Sequence, residues 1–184
     1  MKLRRKLVAW TNRPLVLYHG TTNIAASAIS TPSDSRPHSI DLTLCNPKAD
    51  FGQGFYLTTV LTQAEDWADR QLRYLPKKNK ELARAVVLRF EVDRNHLASL
   101  LSLCFVTDGP NPDYRNFVEY CRSQVGSHLL YSDRNYDIVF GPVTLWPQRL
   151  VIKDADQMSF HTEAALEILP APILHSQGTP TYNL

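Results

Sequence analysis

An α+β fold with at least partly antiparallel sheets is predicted by three observations. β-prone runs and helical periodicities intermix along the chain without a regular βαβ repeat. Gly52 and Gly54 supply only the first half of a GxGxxG pattern, with Tyr56 in its middle, and neither a Walker lysine motif nor HExxH is present. The usual nucleotide folds are therefore not expected. At 184 residues the chain fits one domain, which at this size buries roughly 70% of the surface its unfolded form exposes and needs no staples. With 43% hydrophobic and 21% charged residues it is neither disordered nor membrane-embedded, and no apolar run approaches the roughly 20 residues of a spanning helix.

Leu15-Val16-Leu17-Tyr18 is a short β-prone run that ends in His19-Gly20-Thr21-Thr22. Ile24 to Ile29 carries small residues and Ile at helical spacing. Thr31 to Pro47 is rich in Ser, Pro and Asp and reads as a loop. Thr62-Gln63-Ala64-Glu65 is a capping-box sequence and predicts a helix to Tyr74, with Trp67, Ala68, Leu72 and Leu75 on one stripe. Ala85 to Val92 reads as a strand, and His96 to Leu103 as a short helix. Asn111-Pro112 pairs an N-cap residue with proline at the first helical position. The helix that follows should bury Tyr114, Phe117, Val118 and Cys121 and end near Gly126.

Tyr136 to Val143 is a continuous apolar strand stopped by Gly-Pro, and Leu150-Val151-Ile152 is a candidate for another. Gln157 to His161 alternates like a strand, after which Thr162 caps a helix through Leu169. Pro170 to Leu184 carries no charge and three prolines, the composition of an extended tail. The expected organisation is a basic lead-in (1–13), a folded unit (14–169) and the tail (170–184).

Lys2, Arg4, Arg5, Lys6 and Arg13 place five positive charges before Pro14, so the remaining chain holds 15 basic and 18 acidic side chains. That balance argues mildly against a large phosphate-binding face. Leu7-Val8-Ala9-Trp10 is too short for a signal-peptide core, so a cytoplasmic protein is expected. Cys45, Cys104 and Cys121 are odd in number and lack CxxC spacing; buried thiols are expected, with neither a disulfide framework nor a zinc site.

Asp50-Phe51-Gly52-Gln53-Gly54-Phe55-Tyr56-Leu57-Thr58-Thr59 carries two glycines one residue apart among aromatics, a floor on which backbone can approach a flat ligand. Taken with Tyr18-His19-Gly20-Thr21 and Gln157-Met158-Ser159-Phe160, it resembles the three-motif pattern of ADP-ribosyltransferases of the poly(ADP-ribose) polymerase and diphtheria-toxin type, whose motifs carry His, Tyr and Glu. More closely, these stretches and Tyr136-Asp137-Ile138-Val139-Phe140-Gly141-Pro142-Val143 resemble a bacterial family of domains of unknown function, number 3990, over about residues 15 to 169.

The resemblance implies a split pair of roughly orthogonal β-sheets with flanking helices, and NAD held bent in the cleft as co-substrate, with no metal. His19 corresponds to the histidine on the 2′-hydroxyl of the adenosine ribose, the Gly20 backbone to the clamp on the nicotinamide carboxamide, and Tyr56 to the aromatic on the nicotinamide ring. Trp67 falls where the polymerases place a second stacking tyrosine. Thr21, Gly54 and Phe55 adjoin these as NAD-binding positions, and Gln157 completes the catalytic set of His19, Tyr56 and Gln157. Gln157 stands where the polymerases have Glu, so it can hydrogen-bond a hydroxyl but cannot take a proton, and chain elongation is not expected. Ala64 falls where they have serine. Asp154, Asp156, His161 and Glu163 lie near Gln157 and are candidates for a supplementary acid or base.

The implied activity is mono-ADP-ribosylation of a macromolecule, protein or nucleic acid, by a toxin or antiphage effector with a neutralising protein partner. An NAD glycohydrolase, an inactive NAD or ADP-ribose sensor and a pure interaction module are the alternatives.

Overall fold

The computed structural model describes residues 12–76, 82–106, 111–123 and 128–178. The basic lead-in up to residue 11, the predicted helix end near Gly126 and the last six residues of the tail lie outside them. Two sheets form the described architecture, as the α+β expectation requires. In the first, β1 (Leu15–Thr22) pairs antiparallel with β3 (Ala85–Val92), and β3 with β7 (Ile173–Gln177). The second runs β2 (Phe55–Leu57), β6 (Leu150–Phe160), β5 (Ile138–Leu145) and β4 (Ser102–Cys104), antiparallel except for the β4–β5 pair.

The period-two alternation of a strand decides what each sheet buries. Leu17, Val86, Leu88, Phe90 and Val92 of the first sheet meet Phe55, Leu57, Ile138 and Phe160 of the second in one core. The opposite face of the second sheet presents Tyr56 and Val139 to α4 (Pro112–Ser123). That helix starts as predicted: the Asn111 side chain accepts from the Tyr114 N–H at 3.0 Å. Tyr114, Phe117, Val118 and Cys121 are all buried, one face of the 3.6-residue period. Complete burial of Phe117 alone stabilises by about 1.5–3 kcal/mol.

The other face of the first sheet is covered by α2 (Leu61–Tyr74) through Ala64, Ala68 and Leu72. The predicted capping box does not form. The N-cap is Val60, without a side-chain bond, and Thr62 lies inside the first turn. Gln63 is drawn away instead, binding Asp156 main chain at 2.7 and 3.0 Å. Trp67 leaves the expected stripe and is 47% exposed.

Other elements depart from the sequence reading in identifiable ways. β1 continues through His19 to Thr22, whose hydroxyl caps α1 (Asn23–Ser30). The expected helix from His96 to Leu103 divides into α3 (Arg94–Ala98), capped by Asp93, and β4. The two runs at 150–152 and 157–161 belong to the single strand β6, interrupted where Pro142 pairs with Asp156 and Val143 already with Ile152. Residues 153–155 bulge there, with Asp154 at φ 57°. Thr162 caps the short α5 (Glu163–Glu167) as expected. The expected tail is extended at Ile173–Gln177, but as an edge strand on β3. Cys121 is buried, whereas Cys45 is partly buried and Cys104 exposed, so the expectation of three buried thiols is corrected.

Helix α2 packs on β1 at the distance a glycine permits. A Cβ on Gly20 would lie 1.8 Å from the Ala64 carbonyl oxygen. Gly20→Ala is expected to destabilise the protein by about 3 kcal/mol, measured by urea unfolding. Gly178→Ala, whose Cβ would meet Ala85 at an ordinary 3.5 Å, should stay within about 0.5 kcal/mol of the parent.

Candidate functional site

The two sheets meet at one isolated antiparallel bridge. Tyr18 N–H donates to Thr58 C=O at 2.8 Å, and Thr58 N–H returns to Tyr18 C=O at 2.9 Å. In a continued ladder the next hydrogen-bonded pair would be Gly20 with Tyr56. The strands part instead, and the Tyr56 carbonyl is taken by His19 Nδ1 at 2.8 Å. Alternation along β1 aims the Gly20 N–H and C=O away from β3, toward the mouth of this split. The mouth therefore offers a main-chain donor and a main-chain acceptor side by side.

His19 shares the inward face of β1 with Leu17, and its ring lies 4.5 Å from that of Phe55. Because Nδ1 faces a carbonyl it must carry the proton, which leaves Nε2 as an acceptor in the neutral ring. Burial lowers the His19 pKa, opposed only partly by the Tyr56 carbonyl, so the neutral form persists. Phe55 is buried behind His19 and fixes its ring. Thr21 is buried on the same strand.

Tyr56 projects from the opposite face of β2 from Phe55. Its hydroxyl donates to Gly52 C=O and accepts from Phe51 N–H, both at 2.9 Å, so the tyrosine pins the turn that precedes it. Burial raises its pKa well above the ordinary phenol value and keeps it protonated. Two histidines hold the same turn: His128 Nε2 donates to Phe51 C=O at 2.8 Å, and His161 Nδ1 to Gln53 C=O at 2.9 Å. His161 Nε2 then accepts from the Ser159 hydroxyl at 2.7 Å. Burial, with the neighbouring His128, lowers the His161 pKa to about 3. Gly54 has its place here, since a Cβ would lie 2.6 Å from the His161 ring.

Gln157 stands on the same face of β6 as Ser159, 8% exposed. Its Nε2 donates to Asp50 Oδ2 at 2.8 Å and to Pro142 C=O at 2.9 Å. Both partners are pure acceptors, so the amide can be oriented in one way only, and Oε1 is the atom it has left to offer. Asp50 is the hub: Oδ2 also accepts from Thr144 N–H at 2.8 Å, while Oδ1 receives Arg122 Nη1 at 2.7 Å. Gln157 thus presents the acceptor oxygen a carboxylate would present, while the negative charge sits on its hydrogen-bond partner Asp50, which pairs with Arg122.

His19 meets the Tyr56 main chain, and Tyr56 and Gln157 share one face of the second sheet, whereas the His19 ring lies with Phe55 on the other. Trp67 is not among them; it lies on the exposed side of α2 with the Arg70 guanidinium 5.5 Å from its ring centroid. Of the supplementary acid–base candidates, the Asp156 carboxylate is occupied by the Thr58 hydroxyl and by Thr59 through both its N–H and its hydroxyl, while Glu163 pairs with Arg36 at 2.8 Å. Sequence reasoning missed the part played by Asp50, Arg122, Ser159 and His128. Only Asp50, inside the Asp-Phe-Gly-x-Gly-Phe-Tyr run, carried a signal that could have found it. Among the described residues no cluster of His, Cys, Asp or Glu is arranged to hold a metal ion, and no helix is long and apolar enough to cross a membrane.

A family model described as "Protein of unknown function (DUF3990)" matches residues 15–145, more than half of the chain. The chain belongs to this family. The matched span holds His19, Gly20, Asp50, Tyr56 and Arg122 and ends before Gln157. No curated protein matches the sequence.

The charge arrangement makes two expectations with opposite signs. Gln157→Glu would set a second carboxylate 2.8 Å from Asp50, where both cannot ionise without penalty. One folded-state pKa rises, so the variant's loss of stability grows as pH climbs above about 4.3, to about 3 kcal/mol at pH 8. Thermal melting of Gln157→Glu and of Asp50→Asn/Gln157→Glu at pH 5 and pH 8 checks this, the double variant regaining most of the loss. The parent behaves in reverse. His19, His38, His128 and His161 are held neutral below the ordinary value of 6.5, so the unfolded chain takes up protons first and the melting temperature falls as pH drops from 6.5 toward 4.

Proposed function

We propose that the protein is an NAD-dependent mono-ADP-ribosyltransferase that uses the split between β1 and β2 as its donor site. The observation that carries this reading is the broken ladder at Gly20. A free main-chain N–H beside a free C=O is the complement of a primary carboxamide, which has one acceptor oxygen and two N–H donors. The other groups suit the rest of such a ligand. His19, neutral with Nε2 as acceptor, fits a ribose hydroxyl, as does Oε1 of Gln157. Tyr56 supplies an aromatic face, and stacking of this kind is worth about 1–3 kcal/mol per base in nucleic-acid sites.

NAD supplies a glycosidic C1′–N bond to a positively charged nicotinamide. The bond breaks with its electron pair going to the ring nitrogen, an acceptor lone pair forms the new bond at C1′, and the acceptor's proton leaves to solvent. In this reading the residues of the chain orient rather than exchange protons. The Tyr56 phenol and the Gln157 amide cannot act as bases near pH 7, and the Asp50 oxygens are already occupied by Arg122, Thr144 and Gln157. That favours an acceptor nucleophilic on its own account.

A toxin or antiphage effector acting in the cytoplasm is the role we propose, with a protein partner that neutralises it. The free thiols of Cys45, Cys104 and Cys121 are in keeping with a reducing compartment. Labelled NAD incubated with purified protein and cell lysate should give a labelled macromolecule together with free nicotinamide. Nicotinamide without label would instead mark a glycohydrolase, and NAD binding by calorimetry without turnover a sensor. His19→Ala and Tyr56→Ala are each expected to lower nicotinamide release at least tenfold, and full activity in both would overturn the site assignment. Tyr56→Phe, which keeps the ring and loses only the bonds to the turn, should retain more activity than Tyr56→Ala.

A further inference from the structure

Beside the Asp50–Gln157 network, the face between α4 and the β5–β6 hairpin carries two adjoining grooves that share Trp146, Arg149 and Glu119. The inner is a cavity of about 340 Å³ reaching Tyr114 and Thr144. The outer, about 620 Å³, runs along Arg122 toward Leu130. The inner cavity adjoins the site directly. Tyr114 Oη donates to the Pro142 carbonyl at 2.6 Å, the same oxygen that receives Gln157 Nε2, and Thr144 N–H shares Asp50 Oδ2 with Gln157.

The lining is aromatic and cationic. Trp146 is 37% exposed, with the Arg122 guanidinium 4.5 Å and the Arg149 guanidinium 5.5 Å from its ring centroid. Arg149 has φ 59°, a left-handed backbone uncommon for a side chain of this size and concentrated at functional positions. It reaches both Trp146 and Glu119, the latter at 3.0 Å. Arg115 also lines the inner cavity and has no carboxylate within ion-pairing distance among the described residues. Of the three arginines that line the two grooves, Arg122 is paired with Asp50 and Arg149 with Glu119, which leaves the Arg115 guanidinium without a carboxylate partner among the described residues. The face therefore joins one uncompensated guanidinium to a Trp146 ring flanked by two others, in a chain that after Pro14 has more acidic than basic side chains.

We infer that this face binds single-stranded nucleic acid and is the acceptor side of the transferase. This rests on the donor-site reading for the word acceptor, but not for the binding itself. A flat base matches a Trp–Arg platform, because every base has a π-face and guanidinium planes stack as well as rings do. Phosphates match Arg115 and Arg149. A duplex, whose bases are already stacked, offers the platform only its backbone. A base nitrogen delivered beside Gln157 is also the kind of acceptor that needs no carboxylate to activate it.

The test is fluorescence anisotropy with the full chain, no NAD present, and labelled 12-mers of single-stranded RNA, single-stranded DNA and blunt DNA duplex at 50 mM salt. At least one single strand should bind at least tenfold more tightly than the duplex. Two phosphate contacts would give a logarithmic salt slope of about −1.4, reduced by half in Arg115→Gln. Trp146→Ala should weaken binding at least tenfold while leaving NAD affinity unchanged, and Trp146→Phe should recover most of it, separating lost stacking from lost folding. No binding of either single strand, equal binding of duplex, or parent-like binding by both Trp146→Ala and Arg115→Gln would overturn the inference. So would labelling of lysate protein alone in the NAD experiment, an outcome that leaves the transferase reading intact.

Discussion

The interaction on which the rest of the site depends is the Asp50 carboxylate, buried and shared among Arg122, Thr144 and Gln157. A buried carboxylate is costly unless its charge is paired and its lone pairs are filled. Here a guanidinium from α4 supplies the charge, and an N–H from β5 and an amide from β6 supply the remaining bonds. Three separate elements therefore converge on one side chain of the loop before β2. Removing any one of them would leave the others around an incompletely satisfied charge.

That constraint accounts for the amide at position 157. With both Asp50 oxygens taken by N–H donors, a second carboxylate at 157 would set acceptor against acceptor where the amide supplies a donor. An amide turns its N–H groups toward Asp50 and Pro142 and keeps an acceptor oxygen without adding a charge. The same economy governs the turn from Asp50 to Gly54. Its main-chain polar groups are claimed by Tyr56, His128 and His161, and burial lowers the pKa of each histidine, opposed only partly by the carbonyl it donates to. The glycines serve contacts from outside: Gly54 admits the His161 ring, and Gly20 admits helix α2.

Much of this was legible in the chain and some was not. The run from Asp50 to Thr59, His19-Gly20 and Gln157 stand out as residue types, and the resemblance is what implies that they act together. The partners do not stand out. Arg122 is one of two arginines on an amphipathic helix, and nothing local marks it as the counter-ion of a residue 72 positions away. Thr62-Gln63-Ala64-Glu65 reads as a capping box, but Gln63 is held by the Asp156 main chain and the helix begins at Leu61, so tertiary hydrogen bonds override the local signal. Trp67 falls at a suggestive spacing from Tyr56, yet the helical phase that buries Ala64, Ala68 and Leu72 turns it to solvent.

By itself the sequence determined the elements whose signals are local: the strand at 85–92, the helix from Pro112 with its buried face, the Thr162 cap, and the mixed α+β class. Those signals are periodicity and capping chemistry, which act within a few residues. Tertiary structure alone decided where β1 and β2 part, which carbonyl His19 takes, that Ile173–Gln177 joins a sheet, and that the charge of the site resides on Asp50 rather than at position 157. Each of these depends on groups distant in the chain competing for the same donor or acceptor. Such competition is settled by burial and hydrogen-bond geometry, which no local pattern encodes.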